Sequence, residues 1–405
     1  ALETDARKSS AWLMRGRIEL SRKNVQDARR AFEHVLRDIA KHDVYALCSL
    51  GNYYLAAARS EMARAQEAPD QKGARDLALA NYRRAIEFFD KCLTLDGNCA
   101  AAAHGAAIAM AERGFAADAR RIFQDVRDAA TVGMGPAHVT VPSSDLVYRA
   151  APALTAAQSD TPPVASDVIL WASVNAAHAL VDVANYHQAI LAYEACLRRL
   201  QDTSQALELA AADAQSLVVP GIAGENDADK SSGPPAVERV SATERAERTR
   251  VERDIRLYLV RAMYLHAKAS KDIDTMKKAL EETRLLCSAI DFTLPQSPKP
   301  DADGDVPMDD DEVKTTKLSP EHGQLLFDLA LLEQSVAQMV GEQPEGSRTL
   351  QALDQASADL AHSTSLFSFL ASWGKLNQKK QKLQFSARLA TERSAYGKSL
   401  VAKLA

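Results

Sequence analysis

Aromatic residues are scarce, 6% of 405, and that scarcity argues against a sheet-built core, whose pleated faces are filled by rings and β-branched side chains. Basic charge is not in excess: 49 Lys and Arg stand against 54 Asp and Glu, a net charge of −5. The molecule as a whole therefore exerts no pull on phosphate backbones, and nucleic acid is not its default partner. No uncharged apolar run reaches the roughly 18 residues of a membrane span. The opening, ALETDARKSS, has neither a Met nor an apolar leader and reads as a piece of a longer chain. The five cysteines, Cys48, Cys92, Cys99, Cys196 and Cys287, are odd in number and fall in no CxxC or Cys/His ligand pattern, as expected of thiols in a reducing compartment. Nine histidines are scattered without HExxH or metal-ligand spacing, so no metal, cofactor or catalytic residue is expected.

What the chain does have is 46% hydrophobic residues, dominated by Ala and Leu, which suit close helix packing. One phrase recurs. In AIEFFDKCLTLDG, Ala85, Phe89 and Cys92 are spaced by four and three and share a helix face before a stop at Gly97 and Asn98. Ala28, Phe32 and Val35, then Ala119, Phe123 and Val126, then Ala189, Tyr193 and Cys196 repeat it. The step from Ala85 to Ala119 is 34 residues; the steps from Ala28 to Ala85, 57, and from Ala119 to Ala189, 70, exceed it by 23 and 36. One unit stretched twice by insertions explains all three.

A 34-residue unit with Trp or Leu, Gly and Tyr on a first helix and Ala, an aromatic and a small residue on a second is the tetratricopeptide pattern. Trp12 and Gly16 open the first repeat, Leu47, Leu50, Gly51 and Tyr54 the second, and Ala107 and Ala177 take the glycine position in the third and fourth. Small residues there let antiparallel helices approach, while the aromatic wedges between hairpins. The expected fold is all-α: a tetratricopeptide α-solenoid, a right-handed superhelix of antiparallel helix hairpins.

Residues 1–128 hold repeats one to three, with a helical insertion over about 56–83, and 167–200 hold repeat four. Residues 129–166, with GMGP and TPPVAS, read as an irregular insertion, and 201–247, with VVPGIAGENDADKSSGPP, as a flexible one. A divergent fifth repeat at 248–290 precedes an acidic loop at 291–318, and 319–405 read as further helical hairpins. Ser297-Pro298 and Ser319-Pro320 flank that loop as weak candidate kinase sites.

Other motifs fail on spacing. YGKSL ends like a phosphate loop, but Glu392 stands where its first Gly belongs, and DADGD at Asp301–Asp305 carries its Gly304 fourth, where a calcium loop needs Gly sixth. Lys375, Lys379, Lys380, Lys382, Arg388 and Arg393 form a basic stripe over 375–393 with only Phe385 to stack on, closer to a solvated face than to a nucleic-acid site. With no chemistry indicated, function falls to surfaces. Groove-facing positions counted from the repeat frame are Leu13, Arg17 and Leu20; Tyr45, Cys48, Asn52 and Leu55; His104 and Ile108; and Trp171, Val174, His178 and Val181. Such a groove suits an extended or helical segment of another protein. The alternative is that neighbouring repeats or insertions cover Trp171 and Tyr45. Of the Lys and Asn set by which tetratricopeptide co-chaperones hold a terminal carboxylate, only Asn52 is present.

DVYALCSLGNYYL, the long interruption, the run from ALANYRRAIEFF through SDVILWASVNAAHALVDVANYHQAILAYEACLRRL, and later LYLVRAMYLHAKA, LLFDLALLEQ and LAHSTSLFSFLASWGK stand in an order that resembles the Ctr-nine scaffold subunits of the polymerase-associated-factor complex. The resemblance implies a nuclear, non-enzymatic scaffold that organises a transcription elongation complex on RNA polymerase II and supports histone modification. Its implied partners are the complex's namesake subunit and the parafibromin-like subunit, with no membrane contact. The rival readings are a generic co-chaperone or adaptor and the regulatory region of a larger enzyme.

Overall fold

The computed structural model describes residues 8–22, 24–67, 72–131, 165–216, 236–290 and 319–373, with a few positions between 386 and 395. Outside them lie most of the 129–166 insertion, the centre of 201–247, the acidic loop with Ser297 and DADGD, the lysines of the basic stripe, and YGKSL. The described residues are helical with no strand among them, in two compact units, Ala1–Pro234 and Pro235–Ala405. The first holds α1 (Ser9–Ser21), α2 (Val25–His34), α3 (Val44–Glu67), α4 (Lys72–Leu95), α5 (Ala100–Glu112), α6 (Ala116–Thr131), α7 (Ala165–Asp182) and α8 (Tyr186–Ser216). The second holds α9 (Ala236–Ser270), α10 (Ile273–Ser288), α11 (Pro320–Glu342) and α12 (Leu350–Trp373). Within each unit every helix packs on the next in sequence, and α5 also touches both α3 and α7. That is the neighbour-on-neighbour packing of an α-solenoid.

Composition explains which helices go inside. In α5, AAAAHGAAIAMAE, every residue from His104 to Ala109 is buried; alanine favours the helix and, lacking bulk, lets other helices close in from several sides. The helices that follow first members of pairs are one-sided instead: α2 buries Ala28, Ala31 and Phe32, and α6 buries Ala119, Phe123 and Val126. The residues added in the second pair lengthen both members, so α3 and α4 are 24 residues each against 13 for α5.

The close approaches centre on rings. Phe89 of α4 lies between Gly51 of α3 and Gly105 of α5: a Cβ on Gly51 would sit 2.6 Å from the ring, and one on Gly105 closer still. Gly16 of α1 meets Phe32 of α2 in the same way, at 2.5 Å. Only a hydrogen on Cα leaves room for the aromatic wedge.

Tight turns join the pairs, each with one residue in the left-handed region: Gly114 (φ 94°) after α5, Ala184 (φ 59°) after α7 and Lys271 (φ 57°) after α9. Glycine adopts this conformation at no steric cost, whereas a Cβ meets the carbonyl oxygen. Ala184→Gly and Lys271→Gly are therefore expected to stabilise the protein by about 1 kcal/mol each, read as a higher midpoint in urea. A lowered midpoint would show that these turns hold the side chain for another reason.

Two features differ from the sequence reading. Residues 201–216 and 236–247, assigned to a flexible insertion, belong to α8 and α9, whose Ala- and Glu-rich ends are strong helix formers. Ser319 is the N-cap of α11: its Oγ accepts the backbone N–H of His322 at 3.2 Å, ahead of Pro320 in the first turn. It is therefore tied into a helix start rather than standing in an open loop.

Candidate functional site

The positions counted as groove-facing sit on the first helices of the pairs, α1, α3, α5 and α7. Most of them are covered by the chain itself. Cys48, Asn52, Leu55, His104, Ile108, Trp171, Val174 and His178 are buried, Trp171 to 2% and Val174 to 0% exposure. The physical reason is the small side chains of α5, which bring α3, α5 and α7 within touch, so that Cys48, Leu55 and Ile108 join one apolar cluster with Ala176 and Ala179. Leu13, Arg17, Leu20, Tyr45 and Val181 keep partial access to solvent, though Leu13 and Leu20 pack against the Ala28, Phe32 and Leu50 cluster. Trp171 is thus covered by the chain itself, while Tyr45 is half-buried.

A buried polar contact links two first helices. Asn175 Nδ2 lies 2.6 Å from His104 Nε2, and with the amide donating, the imidazole accepts as its neutral form. Burial alone pushes His104 down to about 4. One helix pair further on, His178 Nδ1 meets the Tyr193 hydroxyl at 2.5 Å. Asn175 has no place in the repeat spacing; its only signal in the sequence is a polar residue inside SVNAAHAL, flanked by apolar neighbours.

The His104 contact fixes a pH dependence. Its folded value lies below the ordinary 6.5, so the unfolded chain binds the extra proton; stability is complete above about pH 6.5 and is lost as pH falls toward 4, by up to about 3 kcal/mol. Urea midpoints between pH 7 and pH 4.5 should show that slope, and His104→Gln, which keeps a hydrogen-bonding group without the titration, should flatten it. An unchanged slope in the variant would remove His104 as its source.

Asn52 offers no clamp to a peptide's carboxylate. It is buried, and neither its amide nitrogen nor its amide oxygen has a hydrogen-bond partner. A buried amide left unpaired costs stability, so Asn52→Leu is expected to raise stability by about 1 kcal/mol. A loss on thermal denaturation would show that water or a ligand satisfies that amide.

Two charged groups tie helices together. Arg59 of α3 grips Glu112 of α5 through Nε at 2.8 Å and Nη2 at 2.6 Å, and the Tyr82 hydroxyl of α4 donates to the same carboxylate at 3.0 Å. Burial, then the Glu112 charge, raises the Tyr82 phenol far above its ordinary value. In the second unit Arg284 of α10 reaches Asp359 of α12 at 2.7 Å and Glu333 of α11 at 3.3 Å, and His362 Nδ1 meets Glu333 at 2.9 Å. The bond to Glu333 raises the His362 value although burial opposes it.

Among the described residues no group of three or more His, Cys, Asp or Glu side chains is arranged to hold a metal ion, and no helix is long and apolar enough to cross a membrane. No protein-family model matches the chain.

Proposed function

We propose that the chain is a non-enzymatic tetratricopeptide scaffold that binds and organises other subunits of the RNA polymerase II-associated elongation complex in the nucleus. The observation that carries the reading is the Phe89 ring held between Gly51 of its own helix pair and Gly105 of the next. An aromatic at that station, gripped by two residues without side chains, is the joint by which a tetratricopeptide array propagates. The particular complex rests on the order of segments that resembles the Ctr-nine subunits, and with it come the namesake and parafibromin-like subunits as partners. The polymerase would be reached through them. Because Trp171, Val174 and their neighbours are covered, the inner positions open to a partner are those with solvent access, foremost Arg17 and Tyr45.

The test is affinity capture of the tagged chain from nuclear extract. Elongation-complex subunits are expected in the eluate, and Arg17→Glu should weaken their recovery about tenfold, equivalent to about 1.4 kcal/mol, with the helical signal unchanged. Recovery of chaperones without transcription factors would favour the co-chaperone reading and overturn this one. Retention of every partner by the Arg17 variant would move binding away from the inner face.

A further inference from the structure

Three of the five cysteines converge beneath one surface turn. Cys48 comes from α3, Cys92 from the last turn of α4, and Cys99 immediately precedes α5; all three are fully buried. Cys92 Sγ lies 3.9 Å from Cys99 Sγ and 3.4 Å from the carbonyl oxygen of Val44. The turn above them is short. Cys99 N–H donates to the Asp96 carbonyl and Asn98 N–H to the Asp96 side chain, at 3.1 Å each, while Gly97 and Asn98 are exposed. Cys92 and Cys99 flank this turn on its two sides, whereas Cys48 lies inside α3, away from it in sequence.

We propose that Cys92 and Cys99 form an oxidisable dithiol that hydrogen peroxide converts to a disulfide between the end of α4 and the start of α5. Cys99 is the attacking sulfur. Its thiolate is favoured by hydrogen bonds from the Cys48 and Cys92 thiols and, to a lesser degree, by the Ala102 and Ala101 amides at the helix start, although burial opposes it. Cys92 behaves oppositely. The Cys48 contact lowers it, but its bond to Cys99 and its burial push it up to about 12, which keeps it a thiol.

In the first step the Cys99 sulfur takes one peroxide oxygen as the O–O bond breaks, and the departing hydroxide collects a proton to leave as water. Cys99 is then a sulfenic acid. The Cys92 sulfur next attacks the Cys99 sulfur; the S–O bond breaks, and the hydroxide leaves as water with the Cys92 proton. Two thiols and one peroxide thus give one disulfide and two waters. The sulfurs must close from 3.9 Å to about 2.05 Å, a movement within reach of side-chain rotation at the turn.

The whole chain provides a direct readout, because trypsin cuts after Lys91 and next after Arg113, leaving both cysteines in one peptide. After peroxide treatment with the helical signal monitored, the peroxide is removed, the chain is unfolded in urea so that buried thiols react, remaining thiols are capped by iodoacetamide, and the digest is weighed. The expected product is peptide Cys92–Arg113 two hydrogens lighter and without either cap, while Cys48 and Cys196 are capped normally. Persistence of both caps on that peptide would overturn the assignment, as would a cross-link joining it to the peptide that carries Cys48. A control in denaturing urea separates geometry from mere reactivity: the same pattern in unfolded chain would also overturn it.

Discussion

Phe89→Ala is expected to destabilise the first unit by about 3–5 kcal/mol, the range for emptying a buried aromatic site, and to shift its urea midpoint accordingly. The ring is fully buried and touches glycine on two sides, so from those two sides no side chain can collapse into the space. The complementary change is more diagnostic. Gly105→Ala puts a methyl into the ring, and because a ring is rigid, helix α5 must shift, at about 1–3 kcal/mol. Phe89→Leu in the Gly105→Ala background should restore part of that loss, giving a favourable coupling in a double-mutant cycle. Additive losses would show that the glycine serves something other than the wedge.

Arg284→Met should be the most damaging change in the second unit, costing about 3 kcal/mol. This is the low end of the range for stranding a buried charge, because Arg284 itself keeps 42% of its side-chain surface in water while Glu333 and Asp359 keep 2% and 7%. The loss should depend on pH. The folded value of His362 is raised, so the stability it lends is complete below its ordinary value near 6.5 and fades as pH rises through the folded value. Below that value the imidazolium still faces Glu333 in the variant, and the damage is smaller; above it, Glu333 has lost both cations. Midpoints at pH 6 and pH 9 measure the difference, and an equal loss at both would break the link to His362.

The helical pairs were legible because their signal is local. Ala85, Phe89 and Cys92 share one helix face, and the same four-and-three spacing returns at Ala119, Phe123 and Val126. Gly51 was legible for the same reason. Gly105 was not: the repeat frame marks the small residue that faces the ring of its own pair, Ala107 for Phe123, and only three-dimensional packing brings Gly105 onto the ring of the pair before it. The positions counted as groove-facing fall on α1, α3, α5 and α7, but most are buried: a repeat frame gives direction, while coverage depends on how closely α3, α5 and α7 approach. Arg284, Glu333, Asp359 and His362 share no spacing, so nothing in the chain's order announces their meeting. The same holds for Cys48, whose contact with Cys92 and Cys99 depends on the helix pair closing.

The grip of Arg59 and Tyr82 on Glu112 has a mechanical consequence. Both donors stand in the residues that lengthen the second pair, and their acceptor stands at the end of α5. The extension is thereby splinted to the following hairpin rather than left as a loose arm. A pull at its tip would be felt in α5, several turns away, as torque instead of dissipating in local bending.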